Sequence, residues 1–174
     1  MMDGAISLLP LTPVYADVLA AVHARAFARP WLAVDFRQML ETSIVFGHLA
    51  VTGEQPAGFA LFRAMAEEAE VLTLAVDPGF RRRGIAAALL KACQAEAGVR
   101  GAQKIFLEVA ESNTAARNLY QALRYETIGC RSGYYLLEDG SRENAVVMGL
   151  RLVPGESAGD RVLPGPDAGS GYPG

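Results

Sequence analysis

The sequence holds few of the residues that build metal sites, disulfide frameworks or membrane spans. Its 174 residues include two cysteines, Cys93 and Cys130, and two histidines, His23 and His48. Two thiols so far apart match no zinc-ligand spacing and are too few for a disulfide framework, which points to a reduced, cytoplasmic setting. Neither histidine has a partner at ligand or catalytic spacing, so structural or surface roles are expected of both, with no metal. No stretch reaches about eighteen uninterrupted apolar residues, and the N-terminal residues lack a basic region followed by a long apolar core. Neither a membrane partner nor an export signal is therefore expected. Charge of neither sign dominates: 16 basic and 19 acidic side chains leave a net charge of −3, unlike the basic surface of a nucleic-acid binder. The Gly-x-Gly-x-x-Gly fingerprint is missing too, and Gly84 is followed by Ile85 and Ala86 where a Walker-type loop needs Lys and Ser or Thr. Dinucleotide and nucleoside triphosphate readings both weaken.

What is present is apolar and periodic. With 51% hydrophobic residues the chain can fill one core, and one domain over residues 1–153 is expected. Residues 5–11 read as a strand. Thr12-Pro13 reads as a helix start, a hydroxyl cap followed by proline at the first helical position, for a helix to about Phe27; Val34, Phe36, Met39 and Leu40 mark a second short one. Residues 44–51 and 57–65 form a hairpin that continues, after the acidic turn Glu67-Glu68, into a strand at 70–76, an antiparallel meander. A helix ending near Gly98 leads to a strand at 104–109, parallel to the one before because a helical crossover joins them. Ser112-Asn113 caps a helix carrying Ala116, Leu119, Tyr120 and Leu123. Strands at 125–130, 133–137 and 145–152, with a turn at Asp139-Gly140, complete an α/β domain. Ten of the 21 residues from 154 to 174 are glycine or proline, and this stretch is expected to be a disordered tail.

The chain is organised around residues 77–88, Asp-Pro-Gly-Phe-Arg-Arg-Arg-Gly-Ile-Ala-Ala-Ala. A buried strand turns straight into a helix there. Main-chain N–H groups, the positive end of a helix dipole and guanidinium donors fall in one small volume, which suits a pyrophosphate.

Arg81, Gly84 and Ala86 fit the pattern Gln/Arg-x-x-Gly-x-Gly/Ala within a Val-Asp-Pro-x-x-Arg-x-x-Gly-x-Ala stretch from Val76 to Ala86. Further on stand Glu108-Val109, then Asn113, Ala115, Ala116 and Leu119-Tyr120 in register, then Arg131-x-x-Tyr134-Tyr135 before Asp139-Gly140. In these residues the chain, from about Ile6 to Leu150, resembles the GNAT superfamily of acetyl-CoA-dependent N-acetyltransferases, and within it the RimI-like enzymes that acetylate the N-terminal amine of a ribosomal protein. The resemblance implies a GNAT fold: a central mixed, mostly antiparallel twisted sheet with two splayed parallel strands, flanked by helices. It implies acetyl-CoA as the donor, a protein N-terminus as the acceptor partner, and direct attack in a ternary complex. Oligomeric state is left open.

By the same resemblance, Leu74, Ala75 and Val76 offer backbone groups to the pantetheine arm and thioester, the Val76 N–H donating to the thioester oxygen as charge develops on it. Arg81, Arg82, Arg83, Gly84, Ile85, Ala86 and Ala87 hold the pyrophosphate, with small residues at 84 and 86 allowing close approach. Glu108 is the candidate base, against the alternative of a strand-end carboxylate paired with an arginine. Tyr120 resembles the family's general acid, against a packed helical tyrosine; a phenol near ~10 is a weaker acid than a thiol near ~8.5, so hydrogen bonding is its larger role. Asn113 reaches the cofactor arm or only caps its helix. Trp31, Tyr134 and Tyr135 border the acceptor slot; by strand alternation only one of the two tyrosines should face it. Cys93 is expected in the core, and neither thiol reads as a nucleophile. One departure stands out: the family's Leu-Gly-Phe after the tyrosine helix is here Leu123-Arg124-Tyr125, so the helix end is expected to be shaped differently. Two rivals remain, an acetyltransferase for a small-molecule amine or a lysine side chain, and a non-catalytic acyl-CoA-binding domain.

Overall fold

The computed structural model describes residues 4–154; apart from Pro154, the expected tail lies outside the described residues. In chain order the elements are β1 (Ile6–Pro10), α1 (Ala16–Ala26), α2 (Ala33–Leu40), β2 (Val45–Thr52), β3 (Gln55–Met65), β4 (Glu68–Val76), α3 (Ile85–Val99), β5 (Lys104–Ala110), α4 (Thr114–Ala122), β6 (Glu126–Leu136) and β7 (Arg142–Arg151). The strands form one sheet in the order β1-β2-β3-β4-β5-β7-β6. Only β4 and β5 run parallel; every other neighbouring pair is antiparallel. The expected meander and crossover are both present.

Two apolar clusters hold the layers, one on each face of the sheet. Phe62, Val71, Ile105, Leu107, Val109 and Met148 pack with Ile85, Leu89, Leu90 and Cys93 of α3. Leu49, Phe59, Leu61 and Ala75 pack with Leu19 and Val22 of α1 and Phe36 and Leu40 of α2. Each large apolar side chain buried in this way contributes roughly 1.5–3 kcal/mol. Along β5 the alternation is simple: Ile105, Leu107 and Val109 face α3, so Phe106 and Glu108 face the other side.

Strand β4 breaks that alternation. Leu61 pairs with Thr73 but Phe62 pairs with Val71, so Leu72 is an extra residue, a β-bulge. Ala69 and Val71 face α3 before it, and Leu74 and Val76 face α3 after it, while Ala75 faces the α1/α2 side. Pairing with β5 covers only Glu68↔Lys104, Ala69↔Ile105 and Glu70↔Phe106. Past the bulge the two parallel strands part, leaving a gap in the middle of the sheet.

Three local features differ from expectation. The first helix starts as a 3-10 turn at Pro13–Tyr15, and Thr12 makes no side-chain cap bond. Between β4 and α3 lies a 3-10 turn, Pro78–Phe80, rather than a direct strand-to-helix step. At the end of α4 the shape is the ordinary one despite the missing glycine: Arg124 adopts φ 69° and the Tyr125 N–H donates to the Tyr120 carbonyl at 3.0 Å, a Schellman cap with arginine in the left-handed position. A Cβ in that conformation is strained. Arg124→Gly should therefore raise stability by about 0.5–1 kcal/mol, read as a higher Tm. A lowered Tm would show that Arg124 is held by contacts worth more than its strain.

Candidate active site

Asp77 builds the turn after β4. Its Oδ1 accepts the Gly79 N–H at 2.8 Å, and its Oδ2 lies 3.0 Å from Nε of Arg25 on α1. A carboxylate this deeply buried is tolerable because both oxygens have partners. The chain then passes through Arg82 at φ 62° and Gly84 at φ 76° into α3. Gly84 is the N-cap and supplies no side-chain bond, while the first bond into the helix runs from the Ala88 N–H to the Gly84 carbonyl at 3.0 Å. The Ile85, Ala86 and Ala87 amides are thus left without intrahelical partners at the positive end of the helix dipole.

Those amides border a cavity of about 300 Å³ lined by Val76, Phe80, Arg81 and Arg82, by Gly84 to Ala87, and by Ala115 and Leu119 of α4. Most of the residues expected to cradle an anionic cofactor are brought together. Arg83 is not: its guanidinium stacks over the Phe80 ring at 5.3 Å and reaches the Gly79 carbonyl. Asn113 accepts the Ala116 N–H at 3.2 Å, so its side-chain oxygen is engaged as a helix cap. At Gly84 no atom lies within 4 Å of where a Cβ would sit, so the positive φ, not close approach, is what requires glycine. Of the three β4 residues, Leu74 and Val76 turn their main-chain groups toward the gap. The Asp77 N–H donates to the Ala57 carbonyl at 2.9 Å, so antiparallel alternation pairs Ala75 with Phe59 and points 74 and 76 the other way.

On the opposite face of the sheet, over the paired end of β4 and β5, a second cavity of about 350 Å³ is lined by Arg63, Met65, Glu68, Ala69 and Glu70, by Phe106 to Glu108, and by Arg131 and Val147. The Glu108 carboxylate lies 2.8 Å from Nε of Arg131, the arginine pairing weighed as its alternative role. That arginine is well exposed, its side chain 60% accessible, so the pair is open to exchange. Tyr134 also lies against Glu108, whose hydrogen bond and charge raise the Tyr134 pKa. Tyr135 is raised by burial first and by Glu108 second. The expectation that these tyrosines face opposite sides is corrected: their ring centroids are 5.1 Å apart. Between Arg131↔Ala145 and Tyr135↔Glu143, three residues of β6 oppose Asn144 alone. This bulge, with Gly133 at φ 60°, is pinned by the Gly133 N–H donating to Asn144 Oδ1 and by Arg142 donating to the Gly133 carbonyl, both at 3.0 Å.

Tyr120 is buried on α4, its ring 5.7 Å from that of Tyr125. Burial pushes its phenol up to about 12, with Tyr135 adding to the rise. Trp31 is half-buried, its ring 5.2 Å from His23 and 5.6 Å from Phe36. Of the cysteines, Cys93 is buried in the core and burial pushes its thiol up to about 12, an inert state, while Cys130 is exposed and free.

A sheet parted at one parallel pair, with an arginine-flanked helix N-terminus on one face and a glutamate on the other, accords with the comparisons. The acetyltransferase (GNAT) family model matches residues 16–125. The chain belongs to the GNAT acetyltransferase family. Its similarity extends to the [ribosomal protein bS18]-alanine N-acetyltransferases: it is 36% identical over 138 residues to that of Escherichia coli K12, 78% of this chain and 92% of that one. To that of Haemophilus ducreyi it is 44% identical over 94 residues, which span 54% of this chain and 65% of that one. The crystal structure of the Escherichia coli ribosomal-protein-S18-alanine N-acetyltransferase superposes with a TM-score of 0.79 at 30% identity, over 84% of this chain and 94% of that one. The architecture is the GNAT fold, and the chain is an acyltransferase of the RimI-like branch. Among the described residues no helix is long and apolar enough to cross a membrane.

Several residues of the site have no role that residue order alone reveals. Phe80, Ala115 and Leu119 line the first cavity, and Ala115 and Leu119 had served only to carry the family resemblance. Arg131 stood in a motif without a role. Asp77 stood in the motif without a role, and Arg25 and Asn144, which help shape the turn and the β6 bulge, gave no signal because their partners lie on other elements.

Proposed function

We propose that this GNAT enzyme transfers the acetyl group of acetyl-CoA to the N-terminal α-amine of a protein, a ribosomal protein in the first instance. The observation that carries this reading is that the two cavities lie on opposite faces of the sheet beside the β4/β5 pair, one rich in anion donors and the other holding Glu108. On the donor side, the free α3 amides with Arg81 and Arg82 suit a pyrophosphate, and the Leu74 and Val76 main-chain groups suit an amide-bearing arm. Bound acetyl-CoA supplies an acyl group activated as a thioester. The Val76 N–H, turned into the gap, can donate to the carbonyl oxygen as negative charge grows there.

On the acceptor side, three carboxylates, Glu68, Glu70 and Glu108, meet two guanidiniums, Arg63 and Arg131, so a cationic amine is attracted. An α-amine with a pKa near ~7.7–8.0 arrives largely protonated at neutral pH. Glu108 exchanges its exposed Arg131 partner for the ammonium and passes the proton to water, leaving a neutral nucleophile. For Tyr120, with a phenol near 12, full transfer to a thiolate near ~8.5 is uphill by roughly 5 kcal/mol, so it serves as a hydrogen-bond donor to the leaving sulfur. The exposed apolar side chains of Leu32 and Val34 near the start of α2, and of Tyr134, Leu136 and Leu137 near the end of β6, suit contact with a peptide.

The test is thiol release from acetyl-CoA with short peptides differing at the first residue, beside polyamines and free lysine. Peptides beginning with alanine are expected to give a kcat/KM at least about tenfold above any polyamine, a difference of about 1.4 kcal/mol. A preference for a polyamine overturns the protein-acceptor reading, and an absence of thiol release with every acceptor, despite tight acetyl-CoA binding, favours a binding module.

A further inference from the structure

His23 is buried on α1, yet it joins two parts of the site that lie far apart in the chain. Its Nδ1 accepts the Trp31 backbone N–H at 3.1 Å, and its Nε2 lies 3.3 Å from the Thr73 hydroxyl. Because Nδ1 is the acceptor, the proton of the neutral ring sits on Nε2, which donates to Thr73. Thr73 is the β4 residue just past the bulge and next to Leu74, and Trp31 belongs to the loop of residues 27–32 between α1 and α2. The ring is clamped by Phe27 at 4.3 Å and Trp31 at 5.2 Å, both stacked, with the Phe36 edge at 5.5 Å and Phe59 at 6.2 Å.

We infer that His23 is a positioning residue: a neutral strut that holds the Trp31 loop against the donor strand β4 and so sets the affinity for the acceptor. This rests on the reading of that loop as one wall of the acceptor slot. The strut works only in the neutral state, since a proton on Nδ1 abolishes the acceptor for the Trp31 N–H. The groups packed on the ring are Phe27 and Trp31 of the loop, Phe36 of α2, Phe59 of β3 and Thr73 of β4. None is charged, and burial alone lowers the His23 pKa below the ordinary histidine value. A histidine whose pKa is lowered by folding stabilises the fold fully above the ordinary value near ~6.5 and loses that contribution as pH falls below it.

Trp31 is the single tryptophan, so its fluorescence reports the loop without reference to activity. His23→Phe keeps the stacking and removes both hydrogen bonds. It is expected to raise the acceptor KM about tenfold and red-shift Trp31 emission, while kcat and the acetyl-CoA Kd stay within about twofold. His23→Gln, whose amide can still accept from Trp31 and donate to Thr73, should bring KM back to within about threefold of the wild type. In the unmodified enzyme the acceptor KM should carry an added rise as pH falls below the ordinary histidine range, a component absent from His23→Phe. Unchanged KM and emission in His23→Phe, or equal losses in kcat and acetyl-CoA affinity, would overturn the strut. A red shift with unchanged acceptor KM would instead show that the strut holds the loop but that the loop does not border the acceptor. Should His23→Phe fail to fold, Thr73→Val, which removes only the Nε2 partner, is expected to shift KM and emission in the same direction; no shift in either would overturn the proposal.

Discussion

Glu108→Gln is expected to lower kcat by about 10²–10³-fold, roughly 3–4 kcal/mol of transition-state stabilisation, with the acetyl-CoA Kd within about twofold. The split follows from position. Glu108 points away from the α3 face on which the donor cavity lies, so removing its charge leaves that cavity intact. The amide is nearly isosteric with the carboxylate, and what it cannot do is receive a proton. It also frees Arg131, whose partner at 2.8 Å becomes neutral, so the groove loses attraction for an ammonium and the acceptor KM should rise as well. Tyr120→Phe in the same assay should cost about tenfold in kcat, the size of one hydrogen bond to a charged partner. A Glu108→Gln enzyme with kcat within about threefold of the wild type would leave Glu108 as the partner of Arg131 and nothing more.

Gly84→Val should weaken acetyl-CoA binding by about 10–100-fold, with thermal stability reduced as well. Gly84 sits at φ 76°, a conformation that costs a β-branched residue of order 1–3 kcal/mol. Because nothing lies within 4 Å of the added Cβ, the chain relieves the strain by moving the backbone rather than a neighbour. The backbone that moves carries the Ile85, Ala86 and Ala87 amides, so the anion donors lose their common aim. Isothermal titration with acetyl-CoA separates this from simple unfolding, and Gly84→Ala should fall between the two. An unchanged Kd in folded Gly84→Val would sink the assignment of these amides to the pyrophosphate. Arg81 and Arg82 line the same cavity whereas Arg83 stacks on Phe80, so the three arginines do not share one role.

Much of the donor half was legible from residue order alone. The motif at residues 81–87, the apolar strand before it and the helical spacing after it are local, and local periodicity with turn chemistry is what a sequence states directly. Glu108 on an alternating strand and Tyr120 on a helix were legible for the same reason, and the family pattern attached roles to both. Tertiary structure decided the rest. The extra residue Leu72 in β4 is defined only by the register against β3, and it marks where the parallel strands part. Whether Tyr134 and Tyr135 share a side depends on Asn144 and Arg142 reaching across from β7 to pin a bulge. Arg124 took a glycine's conformation because the cap at the end of α4 demanded it. For His23 the residue order indicated only a structural or surface role, since its partners Trp31 and Thr73 lie 8 and 50 residues away. The physical reason is common to the bulges and the strut: each is a property of two strands or loops brought together, and its energy does not exist until the chain has closed the distance between them.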